Sequence, residues 1–309
     1  MSWRYLQPGD IVDVVAPGYP TGKEEIARAK KFLEDWNLVP RLPKNIMKPH
    51  FLHAHEDEMR FKLLSEALNA PDSKVVWCLR GGYGSNRLLP YLDQLKKPST
   101  TKLLVGISDI TSLHVYLNQK WGWSSLHGPL LDRLGAGLVP ESIVKETKNI
   151  VFGGVESSTI KGLKALNKAA RQVKALESKI TGGNLTVLQS QLGTPYQVKT
   201  DHRLLFLEDL GERGYRIDRM LEQFKQAGLF AACDGILLGH FIGGVEPSTG
   251  KNNFDKVFKR FAEENEIPVW SGVPAGHDVE QRPLFLNTDV RLESRGEKYD
   301  LFITNGVNK

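Results

Sequence analysis

The stretch KLLVGISDITSLHVYL, residues 102–117, decides the reading of the chain. Its opening run KLLVGI is apolar and ends beside glycine, as a buried strand does. Ile110, Leu113 and Leu117 then recur three and four residues apart, the spacing of one helix face. Ser108 and Asp109 lie between the two periods. A serine at such a strand-to-helix turn stands exposed at the carboxyl edge of a sheet. The first N–H groups of the helix have no partner inside it, so they can meet a developing oxyanion. This is the logic of a nucleophile elbow, although G-I-S-D falls short of the full G-x-S-x-G pattern. Ser108 or Asp109 could equally be a helix cap.

Outward from this stretch the same alternation repeats. IVDVVA (11–16) and KVVWCL (74–79) read as further buried parallel strands. Ile26, Ala29, Leu33 and Trp36 share one helical face, as do Phe61, Leu64 and Leu68. Strand and helix in repetition predict an open α/β sheet with right-handed crossovers. The rhythm breaks at residues 153–179, a stretch with six basic residues between Lys161 and Lys179, which reads as a solvated connector. RLLFL (203–207), DGILL (234–238) and IPVW (267–270) resume as strands. Ile217, Met220, Leu221 and Phe224 form a helical stripe, as do Phe254, Val257, Phe258 and Phe261. The expected organisation is an N-terminal α/β domain (1–152), the connector, and a C-terminal β/α domain (180–309).

Composition narrows the function. The 309 residues carry 41 Lys and Arg against 36 Asp and Glu, a net +5. Without interleaved aromatics this is no nucleic-acid footprint. No run approaches the ~20 apolar residues of a membrane span, and MSWRYLQPGD has no apolar stretch of signal-peptide length. Cys78 and Cys233 read as free thiols of a reducing compartment. The expected partners therefore include neither nucleic acid nor membrane, and the expected location is the cytoplasm.

A serine nucleophile needs a base, and the base needs an orienting acid. His277 in PAGHD follows the IPVW strand, and Glu208 ends RLLFLED; both stand at the edge where open α/β sheets gather their sites. His114, one turn past Ile110, reads as a packed or capping residue. RGGYG (80–84) follows the KVVWCL strand, and its glycines let backbone amides approach a ligand. It lacks the third glycine of a dinucleotide fingerprint and the G-K-S/T of a Walker loop. HFLHAHEDE (50–58) breaks the zincin pattern at its second histidine, so His50, His53 and His55 read as loop residues rather than metal ligands. Trp121 and Trp123 read as core.

Seven segments together resemble the LD-carboxypeptidases, serine peptidases of murein recycling that include the microcin immunity peptidases: VDVVAPG (12–18), RGGYGSNRLLPYLD (80–93), GISDITSLH (106–114), HGP (127–129), GGNLTVLQSQLGTPY (182–196), LFLEDLGERGYRIDRML (205–221) and PAGHD (274–278). The resemblance implies a flavodoxin-like N-terminal domain with a smaller β/α C-terminal domain, and a homodimer. It implies a Ser-Glu-His triad at Ser108, Glu208 and His277, with no metal or organic cofactor. The implied substrate is a muropeptide that loses its terminal D-alanine at an L,D bond. Backbone N–H groups of Asp109 and Gly82 would hold the oxyanion, and Arg80 is a candidate clamp for the substrate carboxylate. The immunity branch acts on a different amide with the same triad. A non-catalytic muropeptide-binding module would be expected to lack a triad member. A glutamine-amidotransferase-like enzyme would want cysteine where Ser108 stands. Residues preceding GGNL are poorer in glycine than the family pattern, and NTDVRL (287–292) lacks a usual glycine; both bear on substrate choice.

Overall fold

A computed structural model describes residues 3–307, and the chain divides into two compact units. The first runs to Glu156 and takes in Gln281–Phe285. Its strands are β1 (Ile11–Val15), β2 (Val39–Arg41), β3 (Ser73–Cys78), β4 (Leu103–Gly106) and β5 (Ser125–His127). They stand in the order β2-β1-β3-β4-β5, all parallel, with a later strand at the β5 edge. This is the flavodoxin-like doubly wound order, and its winding reverses between β1 and β3, where ligand crevices open at the carboxyl ends. Val12, Val14, Val75, Val76, Trp77, Leu104 and Val105 are all buried. Such strands are mostly apolar because helices cover both faces.

The helices follow the expected stripes with two differences. Lys23–Asp35 buries Ala29 and Leu33, and Asp57–Asn69 buries Leu63, Leu64, Ala67 and Leu68. The latter also buries Arg60, a charge that the apolar stripe did not mark. The segment after Ser108 begins as a tight 3₁₀ turn (Ser108–Ile110), becomes α-helix over Thr111–Tyr116 and widens over Leu117–Trp121. Every residue of Thr111–Tyr116 is buried, so this is a core helix and not an amphipathic one.

At the other end of the sheet a polar cluster lies within the core. Lys102 is fully buried, and its Nζ donates to Ala67 O and Ser73 Oγ, each at 2.5 Å, and stands 3.4 Å from Asp13 Oδ2. Arg41 Nε donates to Asp13 Oδ1 at 2.6 Å. A buried cation persists only when its donors are satisfied.

The second unit spans Ser157–Glu280 and Leu286–Asn305. It contains β6 (Ser157–Ala165), β7 (Ala175–Asn184), β8 (Leu204–Leu210), β9 (Gly235–Ile242) and β10 (Val269–Ser271). The chain then passes through β11 (Leu284–Leu286), the edge strand of the first sheet, to β12 (Asp289–Arg295) and β13 (Lys298–Thr304). Seven of these close into a barrel ordered β10-β6-β13-β12-β7-β8-β9. β7 to β10 pair in parallel, whereas β6, β13 and β12 pair antiparallel.

The stretch read as a connector, 153–179, is thus corrected: from Ser157 on it forms β6, a short helix and the start of β7 of the second unit. β6 turns Ile160 and Leu163 inward while Lys161 and Lys164 stay exposed. Gly162, at φ +79°, and a shift of register against β13 break the strict alternation that would have marked a strand. The basic residues are solvated, as expected, but on strands and a short helix (Lys168–Gln172). Outside the barrel, Gly214–Gln226 buries Ile217, Met220, Leu221 and Phe224, and Phe254–Glu263 buries Phe254, Phe258 and Phe261.

Lys102→Met should lower the unfolding free energy by about 3 kcal/mol, because it removes one partner of a buried ionic cluster. Urea unfolding checks this; a change under about 0.5 kcal/mol, the scatter of surface substitutions, would show that the cluster is not stabilising.

Candidate active site

In the first unit three loops meet the carboxyl ends of β1, β3 and β4. The β4 loop holds Ser108 at φ +67°, a left-handed conformation that costs a non-glycine residue about 1–2 kcal/mol. Glycine makes room around it. A Cβ on Gly106 would lie 2.9 Å from Ile110 Cγ1, and one on Gly81 would lie 3.0 Å from Ser108 Cβ. The β1 and β3 loops are joined by Tyr19 N–H donating to Gly81 O at 2.9 Å. A Cβ on Gly18 would lie 2.3 Å from that same oxygen. Gly82 has φ +96°, and a Cβ there would strike the Tyr19 ring at 2.3 Å. These are the close backbone approaches that the sequence RGGYG suggested.

Asp109, next to Ser108, is buried and its Oδ2 accepts the Ser85 N–H at 2.8 Å. Burial pushes its carboxyl up, against the pull of hydrogen bonds from Ser85 and Gly84 and of the Arg60 charge. Beneath the turn, His114 Nε2 bonds Gly106 O at 2.8 Å. Its ring is completely buried, and burial lowers its pKa to about 3. His114 is neutral and packed, as its position in the helix suggested. Arg80 is partly exposed, with Nε 3.9 Å from Asp132 Oδ2. His50 and His53 pair through their backbones, and His55 Nδ1 accepts from Glu56 N–H at 2.9 Å. Trp121 and Trp123 are buried with ring centroids 5.1 Å apart.

In the second unit, Glu208 and His277 come together. His277 Nδ1 lies 2.6 Å from Glu208 Oε2, and the Glu208 side chain is fully buried. Glu208 follows the buried run Leu204–Leu207, and the β8–β9 register shifts between Leu207 and Asp209. A bulge of this kind re-aims side chains near a site. Gly276, at φ +130°, must be glycine: a Cβ would sit 3.0 Å from Glu208 Oε2 and 3.2 Å from His240 Cβ. Asp209 is held elsewhere. Its Oδ2 accepts Thr186 N–H at 2.9 Å and Thr186 Oγ1 at 2.8 Å, and its Oδ1 accepts from Asn184 Nδ2 at 3.1 Å.

Arg60 is the residue that motif reading missed. It is buried, and its guanidinium reaches His55 O (3.1 Å), Gly84 O (2.9 Å), Pro17 O and Asp57. Only its place one turn inside the helix that follows HFLHAHEDE could have drawn attention to it.

The fold and these features define an α/β protein with a serine on a strained strand-to-helix turn of one unit and a carboxylate–imidazole pair in the other. The chain belongs to the LD-carboxypeptidase family: residues 12–128 match the model of the LD-carboxypeptidase N-terminal domain and residues 177–292 that of its C-terminal domain. A probable murein peptide carboxypeptidase of Bacillus subtilis is 33% identical over 276 residues, covering 89% of this chain and 86% of that one. The crystal structure of a muramoyltetrapeptide carboxypeptidase from Oxalobacter formigenes superposes with a TM-score of 0.83 at 28% identity, over 95% of this chain and 98% of that one. The microcin C7 self-immunity protein MccF superposes with a TM-score of 0.84 at 20% identity, over 98% of each chain, which speaks for the fold alone.

The buried His114 gives the first unit an acid sensitivity. Between about pH 3 and 6.5 the unfolded chain binds a proton that the native imidazole refuses. Native stability therefore falls as pH falls through that window, by up to about 1.4 kcal/mol per pH unit. His114→Gln should flatten the slope; parallel urea-unfolding profiles for parent and variant between pH 7 and 4 would refute the assignment.

Proposed function

We propose that this protein is a serine-type LD-carboxypeptidase that releases the terminal D-alanine of murein tetrapeptides in the cytoplasm, acting as a homodimer. The carrying observation is the 2.6 Å contact between His277 Nδ1 and the buried Glu208, paired in the same chain with a serine in a strained turn. The homology of both halves to LD-carboxypeptidases supports the substrate class. Among the described residues no helix is long and apolar enough to cross a membrane.

In the proposed mechanism the bond to Glu208 places the proton of neutral His277 on Nδ1, leaving Nε2 to accept the Ser108 proton. Ser108 attacks the carbonyl of the penultimate residue, and Glu208 stabilises the resulting imidazolium. The N–H groups of Asp109 and Gly82 hold the oxyanion; in comparable sites one such donor is worth about 3–4 kcal/mol. His277 then protonates the departing D-alanine amine, and water cleaves the acyl-enzyme. Arg80, exposed near the glycine loop, is the proposed clamp for the substrate carboxylate, and Asp132 competes for it.

Incubation with disaccharide tetrapeptide should yield tripeptide and free D-alanine. Absence of D-alanine release, with cleavage of an aminoacyl sulfamoyl nucleotide instead, would place the chain with the immunity peptidases. Ser108→Ala should fold normally and lose several orders of magnitude in turnover.

Glu208→Gln should lower turnover by ~10⁴, as the corresponding loss of the acid's charge does in a serine-protease triad. Asp209→Asn should leave turnover per folded site within about tenfold, since its bonds go to Thr186 and Asn184. Active-site titration of both variants checks this. Greater damage from Asp209→Asn would mean that the acid is the wrong neighbour.

A further inference from the structure

We infer that the buried side chains of Arg60 and Asp109 form one positioning element, which clips the Gly81–Ser85 loop to the nucleophile turn and so sets the oxyanion donor Gly82; the inference rests on the serine mechanism proposed above. The loop carries glycine at 81, 82 and 84. Glycine gives the close approach to Ser108, but it also gives the backbone more freedom than any other residue. An oxyanion donor must keep a hydrogen-bond distance to an atom that is charged only in transit. A loop of this composition needs external restraint.

Two side chains supply it, from either side of the same peptide. Arg60 Nη1 donates to Gly84 O at 2.9 Å, and Asp109 Oδ2 accepts from the next residue, Ser85 N–H, at 2.8 Å. The Gly84–Ser85 peptide is therefore gripped at both its carbonyl and its N–H. Arg60 also donates to Pro17 O in the β1 loop and to His55 O, and Asp57 balances its charge. Asp109 is covalently next to Ser108, so the clip joins the β1 and β3 loops directly to the nucleophile. Its packing is tight: a Cβ on Gly84 would lie 2.7 Å from Arg60 Nη1, and one on Gly18 would lie 3.0 Å from Asp109 Oδ2. Both side chains are almost fully buried, so they act through the loop and not on the substrate.

The test uses the full-length protein with Asp109→Asn and Arg60→Lys, each counted by active-site titration and checked by thermal unfolding. Asparagine keeps the shape and one acceptor; lysine keeps the charge but not the fork that reaches several carbonyls. On tetrapeptide, kcat should fall about 10–100-fold, less than for outright loss of a donor, with KM within about threefold. Affinity for a peptide boronic acid, which forms a tetrahedral adduct on serine, should fall by the same factor as kcat/KM. The double variant should be no worse than the worse single one, because one clip can be lost only once. Acylation of Ser108 by a nitrophenyl ester reads the same site whichever amide is the natural substrate. If the parent acylates but does not cleave tetrapeptide, slowed acylation in the variants upholds the clip while the substrate reading fails. Folded variants that acylate at the parent rate, that bind the boronic acid as the parent does, or whose losses simply add would overturn it. Should one variant fail to fold, the other carries the test.

Discussion

A serine held at φ +67° is the constraint on which the first unit is built. L-residues avoid this conformation, and it persists only where the surroundings leave no alternative. Here Gly106 admits Ile110 directly beneath the turn, and His114 fixes the Gly106 carbonyl from below. A core helix buried on every side allows no relaxation downward. The cost of about 1–2 kcal/mol is modest against what burial of a few large apolar side chains returns. The strain thus leaves Ser108 Oγ on a rigid element, with the glycine loop pressed against it.

The second unit solves a different problem, the burial of a carboxylate. Glu208 is fully buried at the end of a strand whose preceding residues are all apolar. A lone carboxylate there would carry a heavy desolvation penalty. The imidazole 2.6 Å away answers it, and only a glycine at 276 lets the loop bring that imidazole so close. The neighbouring Asp209 faces Thr186 and Asn184 and ties β8 to the end of β7. Two adjacent acids therefore have separate tasks, divided by a register shift between Leu207 and Asp209.

Sheet order explains why these residues sit where motif reading looked for them. The winding reverses between β1 and β3. The loops leaving β1, β3 and β4 therefore gather on one edge, and APG, RGGYG and GISD meet there. Each motif records a local need that no distant contact has to decode: a positive φ, a close backbone approach, or an apolar run ending in a polar turn. The doubly wound sheet and the helical stripes were legible for that reason.

Burial of charge was not legible. Arg60 looks in sequence like any exposed residue of an amphipathic helix, and its interior position follows from carbonyls contributed by Pro17, His55 and Gly84. Asp109 reads as a cap until Ser85 is seen to donate to it. The barrel was hidden too, because β6 is bulged and strongly basic on its outer face, so its period is broken where it would have identified a strand. Period and turn chemistry are properties of neighbours along the chain, and the sequence determines them by itself. Whether a charge can be buried, or a bulged strand paired, depends on hydrogen-bond partners tens of residues away, and only the tertiary structure brings those into reach.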